Sequence, residues 1–410
     1  MSNPTRDSPA LGFTATHGSG TGGPERRTLN ACTIIARNYL PFARLLAESF
    51  AEHHPDGQLS CLIIDDTERV VDSSVEPFQI VHLDEIVNDR AELHRLAMIY
   101  DVTELATAVK PLLLRHMLAQ GSHIVYLDPD IQLFAPLDDV VALAEQHSIV
   151  LTPHTTSPMS RDGRKPTEAD ILSSGVYNLG FLALGPGSED FLAWWWERLR
   201  RDCIIDHQRM LFTDQRWIDF VPGYFRHYIL RDPTFNVAYW NLDQRRLVWT
   251  GDRYEIDGQA LRFFHFSGFN PERAYLLSKH QGHLPRVLLS ERPDVSRICA
   301  AYSERLNKAG YGSDAVDSTY GWDLLPSGMK VDGRTRRVYR HAVKAAEAGA
   351  EPEPPDPFGA ADVDAFLSWL NEPVNQGPRP TVSRYKLTLW HERSYLQAAF
   401  PNLTGPDAGR

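Results

Sequence analysis

Short apolar runs alternate with stretches of helical periodicity along the N-terminal part of the chain, and this alternation constrains the fold more than any other feature. Leu29 to Ala36 (LNACTIIA) is a partly β-branched run, followed by a helix-like stretch from Tyr39 to Phe50 with Leu45, Leu46 and Phe50 on one side. A second run, Leu59 to Ile64, ends in Asp65-Asp66, and a third, Phe78 to Leu83, precedes Asp84-Glu85. From Thr103 to Leu118 the pattern is helical, with Leu105, Val109, Leu112, Leu113 and His116 near one face and Gly121 where a C-cap would stand. His123 to Leu127 (HIVYL) is the clearest strand, and it runs directly into Asp128-Pro129-Asp130. Strands spaced by helices in this way predict an α/β fold: a mostly parallel, doubly wound sheet flanked by helices on both faces. Ligands of such sheets bind beyond the carboxyl ends of the strands.

Further along, Gly175 to Gly185 (GVYNLGFLALG) reads as a strand pair or as one strand with a glycine bulge, and Ser188 to Arg201 as a helix with a serine cap and an acidic first turn. The expected organisation is a disordered Gly/Ser/Thr/Pro-rich tail over 1–28, an α/β domain over 29–310, and a helical extension over 311–344. A Pro/Glu/Ala-rich linker over 345–362 and a small C-terminal helical appendage over 363–410 follow. With 410 residues, one large domain plus additions is the default. A formal net charge of −11 argues against nucleic acid as a partner, which needs a basic footprint. Four distant cysteines without C-x-x-C spacing fit a reducing cytoplasm, and no stretch has the roughly 20 apolar residues of a membrane span.

Chemistry concentrates at Asp128-Pro129-Asp130. Carboxylates at i and i+2 of an extended strand end project from one side and can share a cation. A diphosphate ligand would itself be anionic, so a hard divalent ion would have to lie between it and the two aspartates, where it would act as a Lewis acid toward a leaving phosphate. His265 ends another apolar stretch and opens His265-Phe266-Ser267-Gly268-Phe269. It fits either a third metal ligand, which would favour Mn²⁺ over Mg²⁺, or a half-buried structural histidine.

These residues form an ordered set: TIIARNYL, Lys110 before the metal strand, YLDPDI, Tyr177-Asn178-Leu179-Gly180-Phe181, Thr213-Asp214-Gln215 and His265-Phe266-Ser267-Gly268. From roughly Leu29 to Lys279 the chain thereby resembles the retaining GT-A glycosyltransferases of family 8. The resemblance implies a transfer of a sugar from a nucleotide-sugar donor, expected to be a UDP-sugar, to a hydroxyl of a saccharide or glycoconjugate, with retention. It implies Asp128, Asp130 and His265 as metal ligands and Lys110 against the donor sugar or phosphate. Ala36, Arg37 and Asn38 would lie along the nucleoside, with Asp65 or Asp66 near the base or ribose. Asn178 and Gly180 would sit beside the donor sugar and Gly268 beside the diphosphate. Asp214 and Gln215 would face the anomeric carbon, where Gln215 could stabilise oxocarbenium-like charge. The family has a diphosphate-binding lysine three residues after the glycine of His-x-x-Gly; Pro271 stands there in this chain, leaving Arg273 or Lys279 to substitute.

Other segments admit two readings each. His154, after Ile149 to Leu151, and Tyr239, Trp240 and Asn241, within FNVAYWNLD, suit either an acceptor site or loop and core packing. Thr155 to Glu168 reads as a mobile lid. The Trp194-Trp195-Trp196 run fits a helix on a membrane surface, a possible peripheral contact, or one covering the sheet. Arg334, Arg336, Arg337 and Arg340 suit anionic lipid, a polyanionic acceptor, or a solvated helix face. A sugar-phosphate nucleotidyltransferase is the alternative enzyme, although TIIARNYLP lacks its Gly-rich phosphate loop; a carbohydrate-binding protein without activity is the third reading.

Overall fold

The structure, a computed structural model, describes residues 28–313, 319–359, 363–373 and 382–401. All of the tail expected to be disordered except Thr28 lies outside the described residues. The central sheet has seven strands: β1 (Ala31–Ile35), β2 (Leu59–Ile63), β3 (Gln79–His82), β4 (Ile124–Leu127), β6 (Ile149–Pro153), β7 (Tyr177–Leu184) and β8 (Tyr228–Ile229). Between β4 and β6 the short β5 (Ile131–Leu133) leaves this sheet and pairs antiparallel with β9 (Phe263–His265). The strand order is β8-β6-β7-β4-β1-β2-β3, parallel throughout except at β7, which runs against both neighbours. A mostly parallel sheet flanked by helices is what the alternating pattern predicted.

β1 and β2 are buried at every position because apolar clusters cover both faces: Cys32 and Ile34 point into one, Ala31 and Ile35 into the other. On one face pack α2 (Arg90–Ile99), α3 (Val102–Ala108), α4 (Lys110–Leu118) and α6 (Glu189–Asp202); on the other, α1 (Leu40–His53) and α5 (Asp138–His147). The helical stretch from Thr103 is thus two helices. The first opens with a capping box in which Asp101 accepts from the Glu104 N–H at 2.9 Å, and the second starts at Lys110-Pro111, where proline fits an N-terminal turn.

α7 (Pro293–Lys308) covers a third apolar cluster, where Phe266 stacks on Tyr302 with centroids 3.7 Å apart. The Trp run belongs to a covering helix: Trp195 is fully buried and donates from Nε1 to the Asp214 carbonyl at 3.2 Å.

The C-terminal part packs against the domain. Three arginines of α8 (Gly333–Glu347), Arg336, Arg337 and Arg340, reach back to the protein: Arg336 is 2% exposed and donates to the carbonyls of Ala97 (2.6 Å), Tyr100 (2.6 Å) and Trp322 (3.0 Å). Arg337 grips Glu104 at 2.6 and 3.0 Å, and Arg340 donates to the Arg201 carbonyl at 2.5 Å. These contacts replace the lipid-facing or solvated face, because a helix that follows the domain can bring arginines to its open carbonyls. Likewise, the described part of the expected linker, 345–359, is packed: Asp356 meets His94 at 2.7 Å, and Phe358 lies edge-on to Trp322 at 4.9 Å. Phe366 and Leu370 of α9 (Val363–Asn371) are buried in the same core cluster as β1 and α4. No helix among the described residues is long and apolar enough to cross a membrane.

Candidate active site

The sheet order reverses between β4 and β1, and the carboxyl ends of this pair open into a cleft of about 960 Å³. Asn38 follows β1 and Asp128 and Asp130 follow β4, so the switch point itself carries the two acids. Pairing of β5 with β9 sets His265 opposite Ile131, one residue past Asp130, and the Phe266 N–H donates to the Asp130 carbonyl at 2.8 Å. Register therefore supplies the histidine across 135 residues of chain. Ligand atoms of Asp128, Asp130 and His265 lie within 4.8 Å of one another.

Two carboxylates this close repel by about 3.5 kcal/mol or more at an effective dielectric of about 20. Burial raises the Asp128 carboxyl above its ordinary value and Asp130 adds to this, with Lys110 and His265 offsetting only part. His265 is 3% exposed, with Nε2 at 3.1 Å from Asp130 and 3.8 Å from Asp128. Burial opposes charge on its ring, yet Asp130 and Asp128 outweigh burial and raise its pKa. Two oxygen donors and one imidazole, short of positive charge, fit a divalent cation; the nitrogen suits Mn²⁺ better than Mg²⁺.

β7 builds the wall beside this cluster. Its pairing with β6 shifts between Leu151 and Thr152, from Leu151 opposite Leu182 to Thr152 opposite Asn178, so Leu179 to Phe181 have no partner on β6. This is the irregularity the glycine suggested. A Cβ on Gly180 would meet His265 Cε1 at 2.3 Å and Nδ1 at 2.7 Å, so glycine here lets the imidazole seat against the strand. Gly268, at φ +70°, has a similar constraint: a Cβ would lie 2.4 Å from His280 Cδ2.

Lys110 is 2% exposed, with Nζ 2.7 Å from Asp214 and 3.1 Å from the Leu179 carbonyl, and it lies over the Tyr126 ring. Burial opposes its charge, but Asp214 and Asp128 overcome this and raise its pKa. Gln215 is held on three sides: its Oε1 accepts from the Leu179 N–H (3.2 Å) and Asn178 Nδ2 (3.4 Å), and its Nε2 donates to the Ser174 carbonyl (2.9 Å).

Of the residues singled out in the sequence, the cleft brings together Asn38, Lys110, Asp128, Asp130, His154, Asn178, Gly180, Asp214, Gln215, Tyr239, Trp240, His265, Gly268 and Lys279. Lys279 is exposed, and its N–H donates to the Gly268 carbonyl at 3.0 Å. Ala36, Arg37, Asp65, Asp66, Arg273 and Asn241 do not line it. Asp65 accepts from the Arg37 N–H at 2.8 Å, and burial raises its pKa. Asp66 accepts from the Val70 N–H at 2.8 Å and lines a second cleft. Arg273 is exposed elsewhere.

Asn241 takes the core-packing reading: fully buried, it donates to the carbonyls of His154 (3.0 Å) and Asn236 (2.9 Å) and accepts from the Ala238 N–H (3.0 Å). The segment read as a lid borders the cleft through Lys165 and Pro166 and is tied to the rest of the fold. Buried Arg286 donates to the carbonyls of Pro166 and Ser160, each at 2.7 Å, and the Lys165 N–H to the Leu284 carbonyl at 2.7 Å, which stitches the loop down.

Residues not singled out also line the cleft, among them Tyr39, Thr107, Lys165, Asp170, Phe212, His280 and Tyr311. Tyr126, whose OH donates to Asp128 at 2.8 Å, was within reach of sequence reasoning, since i and i−2 share a face. The others depend on loops meeting across the fold.

No family model matches the chain. A relative from Bacillus subtilis (strain 168), the "Uncharacterized protein YfnD", is 27% identical over 256 residues, covering 59% of this chain and 78% of the relative. Among solved structures, galactosyltransferase LgtC in complex with donor and acceptor sugar analogs aligns over 70% of this chain and 98% of its own, at 12% identity and a TM-score of 0.41. A glycosyltransferase involved in glycosylation of the major capsid of PBCV-1 aligns over 68% and 99%, at 10% identity and a TM-score of 0.31. Mouse xyloside xylosyltransferase 1 aligns over 58% and 97%, at 12% identity and a TM-score of 0.35. Values this low decide nothing about activity, and the chemistry is read from the side chains.

Proposed function

We propose that this chain is a divalent-metal-dependent glycosyltransferase of the GT-A type, moving a sugar from a nucleotide-sugar donor to a hydroxyl of a saccharide or glycoconjugate. The observation that carries this is the placement of Asp128, Asp130 and His265 at the switch point of the sheet, on the wall of a cleft large enough for a nucleotide sugar. Those three residues would hold Mn²⁺ or Mg²⁺, which when bound would neutralise the donor diphosphate and stabilise the departing nucleoside diphosphate.

The remaining groups suit the rest of the reaction. Glycosyl transfer develops oxocarbenium-like charge, and the carboxamide of Gln215, fixed by its three hydrogen bonds, supplies a preorganised dipole for it. Lys110, kept charged by Asp214, provides a buried cation for the donor phosphate or sugar. Lys279 replaces the diphosphate lysine in preference to Arg273, because it borders Gly268 in the cleft. Tyr239 and Trp240 offer aromatic faces to the acceptor. Retention, a UDP-sugar donor and acceptance of the proton by the leaving phosphate follow from the family resemblance. The four cysteines are buried and free, which accords with a cytoplasmic setting.

A panel of nucleotide sugars with Mn²⁺ or EDTA, followed for slow donor hydrolysis without acceptor, tests the reading. One donor should be hydrolysed, and EDTA or Asp130→Ala should abolish it. Hydrolysis or binding indifferent to both would overturn it.

A further inference from the structure

We propose that the C-terminal segment 320–322 positions one wall of the cleft: through Asp65 it fixes the turn that carries Asn38 and Tyr39, and so sets the affinity for the donor's nucleoside. The inference rests on the glycosyltransferase reading of the cleft.

The carboxyl end of β2 lies between that wall and the segment. On the wall side, Asp65 Oδ1 accepts from the Arg37 N–H at 2.8 Å, at the start of the turn Arg37–Tyr39. The Tyr39 N–H closes the turn onto the Ala36 carbonyl at 2.8 Å, and Asn38 and Tyr39 then line the cleft. On the segment side, the Gly321 N–H reaches Asp65 Oδ2 at 3.4 Å, and Trp322 Nε1 donates to the Ile64 carbonyl at 2.8 Å. Each oxygen of the Asp65 carboxylate is thus engaged by a backbone N–H, and the residue is buried away from the cleft. An acid so placed brackets two loops together.

The segment is itself firmly held. Trp322 is buried between His94 and Phe358, with ring centroids 6.2 and 4.9 Å away, and its carbonyl accepts from Arg336 at 3.0 Å. Gly321 lies flat on the bracket: a Cβ there would come within 3.1 Å of the Asp65 carbonyl oxygen and 3.5 Å of the Asp65 Cβ. A side chain at this position would push segment and bracket apart. With the donor diphosphate at Asp128 and Asp130 and the reacting sugar among Lys110, Asn178 and Gln215, the nucleoside extends toward the remaining side, where Asn38 and Tyr39 stand. A wall fixed before binding spares the ligand the cost of ordering it, so loosening this wall lowers nucleotide affinity and leaves the metal ligands alone.

Calorimetry of the full chain with Mn²⁺ and each of UDP, GDP, CDP, ADP and dTDP tests this. One nucleotide should bind the wild type. Asp65→Leu, Gly321→Val and Trp322→Phe, the last of which removes only the Nε1 donor and keeps a ring, should each weaken it about tenfold. Mn²⁺ alone should bind all three as it binds the wild type. Asp65→Asn keeps an oxygen for the Arg37 N–H and should retain most of the affinity that Asp65→Leu loses. In donor hydrolysis the weakened variants should show a raised KM with kcat nearly unchanged. Wild-type nucleotide affinity in these variants overturns the inference and leaves the glycosyltransferase reading standing, and so does a parallel loss of Mn²⁺ affinity, the mark of a general disturbance. A wild type that binds none of the five nucleotides overturns that reading and the inference with it. Should Asp65→Leu or Gly321→Val not fold, the milder Trp322→Phe decides by the same comparison.

Discussion

Two groups of buried acids in this protein are provisioned in opposite ways. Where the C-terminal extension docks, Glu92 accepts two hydrogen bonds from each of Arg200 and Arg201, and Glu104 two from Arg337. Burial would raise the Glu92 carboxyl, but Arg201 and Arg200 outweigh it and hold it down at about 2. At the cleft, Asp128 and Asp130 have one tyrosine hydroxyl, one histidine and the field of Lys110, and Asp128 is still raised. Acids that hold a fold together are saturated by guanidinium groups. Acids left short of positive charge at a strand tip mark where a ligand's cation belongs.

The contrast can be broken by mutation. Asp130→Ala should cut metal-dependent donor hydrolysis by about 10³-fold or more, roughly 4 kcal/mol of transition-state stabilisation, while its urea midpoint holds or rises because a repulsive charge is gone. An equal loss of stability would erase the difference between the two groups. Arg201→Met should do the converse: uncovering Glu92 and Glu347 costs about 3–5 kcal/mol in urea unfolding, with the activity of the folded fraction retained.

The pH dependence separates the groups by sign. Glu92 is depressed when folded, so its contribution of about 3 kcal/mol is whole above its unfolded pKa of 4.5 and lost as pH falls toward 2. His265 is raised, so in metal-free protein its contribution is whole below its unfolded pKa of 6.5 and lost as pH rises through the folded value. A metal competes for the same nitrogen; Mn²⁺ affinity should therefore grow with pH across that upper range, and a flat calorimetric profile would remove His265 from the ligand set. The smallest effect on the site's chemistry is expected of Gly180→Ala. Its methyl group displaces the His265 ring, costing about 1–3 kcal/mol in urea while Mn²⁺ affinity drops about tenfold or more.

Legibility in the sequence follows distance along the chain. The parallel sheet was readable because each strand and helix declares itself within a dozen residues, and Asp128-Pro129-Asp130 because the geometry of i and i+2 is local. Gly180 was visible as a bulge, but not as the seat of an imidazole 85 residues away. Arg336 looked like a surface cation because only the docked fold shows the carbonyls of Ala97 and Tyr100 awaiting it.

By itself, then, the sequence determined the layers of the fold and the acidic strand tip. Tertiary structure alone decided that His265 joins the tip, that Asn178 lies behind it, and that the extension shares the core. Local pattern carries the backbone's periodicity, whereas the partner of a buried polar group is settled by register and packing between segments far apart in the chain.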